Sequence, residues 1–241
     1  CHFLDESPQR RLPQRVTRPM IIGTDFIFIH IPKCAGSSFC RMMLKRHGLK
    51  ETGDHHSTAR DIPMELRESH FIFGFMRDPV KQAVSNFVYH TRSWRHKFNP
   101  EMTFEDWCEW RWGGKDREWA SKWILDDHCL DYGHHMNVRP SAGFLCDEDG
   151  KCIATHIFRF EEMEKSTREL TATLELDCDL SDFHMLKTSG TGGKKPVVTD
   201  RCVELIKGAK LIDFALHGNP GRIPTNYSSP TVPGYAYARF D

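Results

Sequence analysis

Lys33 stands three residues ahead of Gly36 and immediately upstream of Cys34 and Ala35, and Ser37 and Ser38 follow the glycine. A cation, a glycine and two hydroxyls in that order suit an anion. Where such a turn opens a helix, backbone N–H groups converge on one point, the helix dipole adds partial positive charge and the lysine adds a full one, so phosphate or sulfate is the natural occupant. The Walker A order, Gly-x-x-x-x-Gly-Lys-Ser/Thr, is not met, because here the lysine precedes the glycine. A second cation, Arg77, is followed by Asp78-Pro79 and, eight residues on, by Ser85. His55 and His56 are candidates for a base, since histidine ionises nearest neutrality.

These residues need elements to position them. Phe26 to Ile31 is a nearly unbroken apolar run, interrupted only by His30, between Asp25 and Pro32, which reads as a strand buried on both faces of a parallel sheet. Pro32 ends it, Gly36 permits close backbone approach, and Ser37 and Ser38 are expected to cap a helix that runs from Phe39 to a stop at Gly48. A second strand is read in Phe71-Ile72-Phe73-Gly74-Phe75-Met76. Asp78 as N-cap and Pro79 at the first helical position start the next helix, with Val80, Ala83, Val84, Phe87 and Val88 along one face. Arg77 thereby falls at the carboxyl end of a strand, where ligands sit in open α/β sheets. Between the two units lies a polar stretch ending in a weakly helical piece around Met64, Glu65 and Leu66.

All six tryptophans lie between Trp94 and Trp123. The pairs Trp107/Trp110 and Trp119/Trp123 have helical spacing and suit an apolar helix face. One or two can instead line an acceptor cleft beside Arg92, Arg95, His96 and Lys97. Ser141 to Phe160 reads as a hairpin or strand pair, followed by helices at about 161–176 and about 199–217. A Gly-rich basic loop carrying Lys187, Thr188 and Ser189 precedes the last helix. The expected class is α/β, a P-loop-like three-layer domain whose central parallel sheet is flanked by helices. Residues 1–20 read as an extended arm, 21–217 as the domain and 218–241 as an irregular tail.

With 33 basic and 33 acidic residues, no overall field points to nucleic acid, so an anionic ligand must be met by local clusters. No apolar run approaches the roughly 18 residues that cross a bilayer. The polar, Arg/Pro-rich first nineteen residues and the absence of an initiating Met fit a lumenal portion separated from its signal or anchor. Nine cysteines without Cys-x-x-Cys speak against a zinc ribbon or a thioredoxin-like site. Cys146 and Cys152 flank an Asp-Gly turn that can bring them within bridging distance, which would imply an oxidising compartment. Asn226-Tyr227-Ser228 is a glycosylation triplet.

Pro-Lys-x-x-Gly-Ser-Ser after an apolar strand resembles the 5′-phosphosulfate loop of sulfotransferases that use 3′-phosphoadenosine 5′-phosphosulfate (PAPS). The nearest likeness is to the carbohydrate sulfotransferase group that includes the heparan sulfate 2-O enzymes. Arg-Asp-Pro-Val with Ser85 resembles that family's 3′-phosphate site, although Lys81-Gln82 stands where members commonly carry another arginine. Thr155 to Glu161 resembles its late strand and Arg-Phe-Glu turn, in which an Arg159–Glu161 ion pair is the plain expectation.

The resemblance implies PAPS as donor and no metal, with Lys33, Cys34, Ala35, Gly36, Ser37, Ser38, Arg77 and Ser85 as donor ligands. Lys187, Thr188 and Ser189 would belong to a segment closing over the nucleotide. It also implies that Lys33 stabilises the leaving group and that the base comes from the region of His55 and His56. His56-Ser57-Thr58 resembles the family's His-x-Ser/Thr pattern, so His56 is preferred, with His90 and Glu51 as alternatives. The acceptor implied is a hydroxyl, on a saccharide, with no nucleic-acid partner. The location implied is the Golgi lumen, through an anchor not contained in this sequence, with the cytoplasm as alternative. Two other readings stay open: a P-loop-like phosphotransferase, and a non-catalytic module that binds anionic glycans.

Overall fold

Phe26-Ile27-Phe28-Ile29 has no polar side to offer water. In the computed structural model, which describes residues 20–49, 58–126, 140–146, 151–178, 196–218 and 221–222, it forms β2 (Phe26–Ile29) with all four side chains buried. β2 pairs in parallel with β3 (Phe71–Met76), Phe26 opposite Phe71 and Ile29 opposite Gly74. β3 in turn pairs in parallel with β4 (His156–Arg159). Two short antiparallel strands close the edges, β1 (Met20–Ile22) beside β2 and β5 (Gly221–Arg222) beside β4, giving the order β1-β2-β3-β4-β5. The centre is therefore parallel, as expected of an α/β fold with helices flanking the sheet, and only its rims are antiparallel. β5 adds a short strand within the stretch read as an irregular tail.

Successive residues of a strand point to opposite faces. Ile72 through Met76 are all buried, so both faces of β3 are covered. One cover is α1 (Gly36–His47), pinned to the sheet by Phe39, whose ring lies 4.4 Å from that of Phe28 and 5.5 Å from that of Phe75. Burying one such ring contributes about 1.5–3 kcal/mol, enough to fix the start of α1 against the strand end.

A second apolar cluster joins α3 (Pro79–Ser93), α4 (Phe104–Trp112) and α8 (Asp200–Ala209) through Ala83, Phe87, Phe104, Trp107, Cys202 and Ile206. Trp107 is fully buried there, and Trp94, Trp110, Trp112 and Trp123 pack against it. The packing role of the tryptophans thus holds for five of the six. Between α1 and β3, α2 (Met64–Arg67) forms where the weak helical piece was read, and α5 (Arg117–Ser121) follows α4.

Three expected features differ. Ser141 to Phe160 is not a plain strand pair: Ala142–Leu145 is a helical turn, α6, followed by a single antiparallel bridge that sets Cys146 opposite Cys152, and only then comes β4. The small residues Ser141, Ala142 and Gly143 permit that turn to bury its backbone. The helix after β4 is α7 (Met163–Leu174), close to its expected span. The last helix is broken, because Lys210 leaves helical geometry (φ −128°, ψ 31°) and α9 (Leu211–Gly218) begins after it. Among the described residues no helix is long and apolar enough to cross a membrane.

Candidate active site

Because β2, β3 and β4 are parallel, their carboxyl ends open on one edge of the sheet, and Lys33, Arg77 and Phe160 follow those ends within a few residues. The turn after β2 is conformationally unusual. Lys33 and Ala35 are left-handed, with φ of 62° and 67°, at about 1–2 kcal/mol each for a residue with a Cβ. Ala35 is the N-cap of α1 and offers no side-chain cap. The helix begins at Gly36, so Ser37 and Ser38 lie inside its first turn and are not the caps that their residue types suggested.

The Ser38 N–H is used by the Ala35 carbonyl at 2.9 Å. The N–H groups of Gly36 and Ser37 precede the first possible intrahelical bond, which leaves them for a ligand. Backbone with such alternating geometry makes an anion-binding concavity. Gly36 is required for a specific reason: a Cβ there would run into the ring of the buried His30.

Two cations meet at this edge. The Lys33 ammonium lies over the Tyr89 ring, 4.2 Å from its centroid, and the Arg77 guanidinium over the Phe160 ring at 4.6 Å. Neither has a carboxylate partner among the described residues. Arg77 Nη1 approaches the Lys33 carbonyl at 3.5 Å, a long contact that leaves its donors largely uncommitted, and its Nε is buried without a partner. Burial, and then the nearby Arg77 charge, lower the pKa of Lys33. An anion between the two would relieve that repulsion. Cys34, beneath the turn, is a buried thiol pushed up to about 12 by burial and is no nucleophile.

The turn after β3 is built differently. The Asp78 carboxylate accepts the Lys81 N–H at 2.9 Å, and Pro79 occupies the first helical position. Glu161 accepts the Asp78 N–H at 3.1 Å and pairs with His217 at 3.0 Å. Burial raises the Glu161 pKa, but the bond from His217 and that from Asp78 together hold it below the usual carboxylate range. The expected Arg159–Glu161 pair is replaced, since Arg159 bonds Glu162 at 2.8 Å and the carbonyls of His217 and Gly218. In the short 3₁₀ turn that follows β4 it is Glu162 that comes round to Arg159.

α3 also carries a buried polar stripe that apolar periodicity did not reveal: Gln82, Asn86 and His90 at steps of four. Gln82 reaches the turn after β2, donating to the Pro32 carbonyl at 2.9 Å, and Tyr89 reaches Lys33. Ser85, three residues after Gln82 and four before Tyr89, is half-buried on the helix face that carries both. His90 is fully buried, and neither ring nitrogen makes a hydrogen bond of good geometry. Burial, then the charges of Arg111 and Lys33, push it down to about 3. It is neutral and too weak a base for the role held open for it.

The structure thus brings Lys33, Cys34, Ala35, Gly36 and Arg77 to one edge, with Ser37 and Ser38 in the first turn of α1 and Ser85 on the α3 face that carries Gln82 and Tyr89. His55 and His56, the alternative Glu51, and Lys187, Thr188 and Ser189 lie outside the described residues. The chain returns two residues after His56 at Thr58, whose N–H donates to Asp61 at 2.8 Å. Among the described residues no cluster of His, Cys, Asp and Glu could hold a metal.

Comparison with protein families gives a match to the model described as the sulfotransferase family over residues 23–185. That span holds both turns. The chain belongs to the sulfotransferase family. As a sulfotransferase it is a PAPS-dependent enzyme that transfers a sulfuryl group. No curated protein matches the chain significantly. Among solved structures, a mouse sulfotransferase, SULT7A1, complexed with PAP, is similar at 15% identity and a TM-score of 0.33, covering 85% of this chain and 70% of that one.

Proposed function

We propose that this sulfotransferase moves the sulfuryl group of PAPS onto a hydroxyl of an anionic saccharide, with Lys33 stabilising the leaving group and His56 taking the acceptor proton. The observation that carries this reading is the pair of cations, Lys33 and Arg77, on adjacent parallel strand ends, neither with a carboxylate partner among the described residues. In the reaction the bond from sulfur to the bridging phosphate oxygen breaks and a bond from sulfur to the acceptor oxygen forms. The electron pair stays on the phosphate, beside Lys33 and the amides of α1, and the acceptor proton passes to His56. Preorganised positive charge of this kind acts where negative charge develops and supplies most of the rate in such transfers. Arg77 and Ser85 hold the 3′-phosphate in this scheme.

A surface leading away from Lys33 supports the acceptor class. Tyr89 contacts Trp94 at 6.0 Å between ring centroids, and Arg92, Arg95 and His96 are exposed around it. Aromatic faces suit sugar rings, and guanidinium groups suit sulfate or carboxylate substituents.

The test is PAPS labelled in its sulfuryl group, offered with desulfated polysaccharides, simple alcohols and tyrosyl peptides. Label is expected on a polysaccharide, and label on peptides alone would overturn the saccharide assignment. His56→Ala is expected to lose turnover and keep binding of adenosine 3′,5′-bisphosphate (PAP), whereas full activity in that variant would move the base elsewhere.

A further inference from the structure

The two left-handed residues of the donor turn need something to hold them, and the structure supplies a buried polar chain that runs to the last two helices. Gln82 on α3 donates through Nε2 to the Pro32 carbonyl at 2.9 Å and to the Cys34 sulfur at 3.4 Å. It thereby grips the turn on both sides of Lys33. Its Oε1 accepts from Lys210 Nζ at 2.7 Å and from Ser141 Oγ at 3.3 Å. Lys210 is also 3.4 Å from Asp213, and Asp213 accepts the N–H groups of Ser141 at 2.7 Å and Ala142 at 2.8 Å. Gln82, Lys210, Asp213 and Ser141 are 2%, 1%, 0% and 0% exposed.

An ion pair buried that deeply is a poor way to gain stability, because apolar residues of similar volume commonly do as well or better. It is a good way to polarise an amide, since a cation on Oε1 strengthens donation from Nε2 in a low-dielectric interior. Lys210 occupies the residue at which α8 and α9 part, so the break in the last helix is what brings its side chain to Gln82.

We infer that Gln82 and Lys210 are positioning residues of the donor site, holding Pro32–Cys34 in the left-handed turn that aims Lys33 and the first amides of α1 at the donor. The inference rests on the donor-site reading above. It makes the strained turn dependent on the C-terminal helices, 128 residues away along the chain from Gln82. Neither residue touches the donor. Their effect falls on binding and on the order of the turn.

Two variants test it, Gln82→Met and the charge-neutral pair Lys210→Met/Asp213→Asn, the second standing in should the first not fold. Amide hydrogen exchange over residues 31–39 of the unliganded full chain reads the turn directly. Calorimetry with PAP reads the site. Because a buried hydrogen-bonding group loses its partner, each variant is expected to speed exchange in that segment, but not in β3, by about tenfold and to weaken PAP by about tenfold. Gln82→Glu still accepts from Lys210 but cannot donate to Pro32, and it is expected to behave like Gln82→Met. Folded variants with unchanged exchange over 31–39 and PAP affinity within twofold of the parent would overturn the inference, whatever their melting temperature. If the parent chain does not bind PAP, the donor reading fails by itself, and exchange over 31–39 still decides whether Gln82 and Lys210 hold the turn.

Discussion

The two strand-to-helix turns at the carboxyl edge of the sheet solve the same local problem in opposite ways. After β3, Asp78 caps its helix, Pro79 takes the first position and the backbone is relaxed. After β2, Ala35 leaves α1 without a side-chain cap, and two residues with a Cβ are left-handed. A capped helix start has already used amides that an anion would need. The uncapped start keeps them and stores strain to aim them. The difference teaches how the proposed donor site divides its labour: in that proposal the first turn binds through backbone amides and Lys33, the second through the side chains Arg77 and Ser85.

The sharpest way to break this division is Lys33→Ala. Removing the charge proposed to meet the developing anion is expected to lower turnover about 10²–10³-fold, with little change in melting temperature. Turnover within tenfold of the parent would show that the uncapped amides suffice alone. Arg77→Ala should act on the other end. It is expected to weaken PAP by about 10–100-fold, the range for hydrogen bonds to charged groups, and to leave adenosine 5′-phosphosulfate, which lacks the 3′-phosphate, within twofold. Equal losses for both nucleotides would merge the two ends into one site.

His90, buried on α3 within reach of the Lys33 charge, makes the fold sensitive to acid. Its folded pKa is pushed down to about 3, below its unfolded value of about 6.5. The unfolded chain therefore takes up the proton first as pH falls, and stability drops between about pH 6.5 and 3. At about 1.4 kcal/mol per unit, denaturant titrations at pH 7 and pH 5 should differ by ~2 kcal/mol from this group, and His90→Leu should abolish that share. An unchanged difference in His90→Leu would place the acid sensitivity elsewhere.

The smallest effects compare the caps themselves. Asp78→Ala should cost about 1 kcal/mol, as loss of an N-cap does. Ala35→Gly, freed of the left-handed penalty, should stabilise by roughly 1 kcal/mol. Thermal melts read both, and destabilisation by Ala35→Gly would argue against strain in the first turn.

Much of this arrangement was legible from residue types. Phe71–Met76 and the Asp78-Pro79 start were readable because buried parallel strands are continuous apolar runs and capped helices announce themselves. The positions of Lys33 and Arg77 followed from those elements. The start of α1 was misread because Ser37 and Ser38 are good caps, while the actual cap, Ala35, works by backbone geometry that no side chain encodes. Gln82, Lys210 and Asp213 escaped because polar residues on an amphipathic helix are assigned to water. Only tertiary packing reveals that 128 residues of separation close into one buried chain. A signal did exist in Lys81-Gln82, the departure from the family's pattern after Arg-Asp-Pro. The partner of Arg159 was missed by one residue, a shift set by the 3₁₀ turn after β4.

The central claim is a two-ended clamp that requires phosphate at both the 5′ and the 3′ position, and calorimetry on the parent chain tests it most directly. PAP, adenosine 5′-monophosphate and ATP are titrated in turn. The account predicts that PAP binds at least about tenfold more tightly than the monophosphate, since the Arg77 end is engaged by PAP alone. Equal affinity for PAP and the monophosphate, or binding of ATP alone, would contradict it.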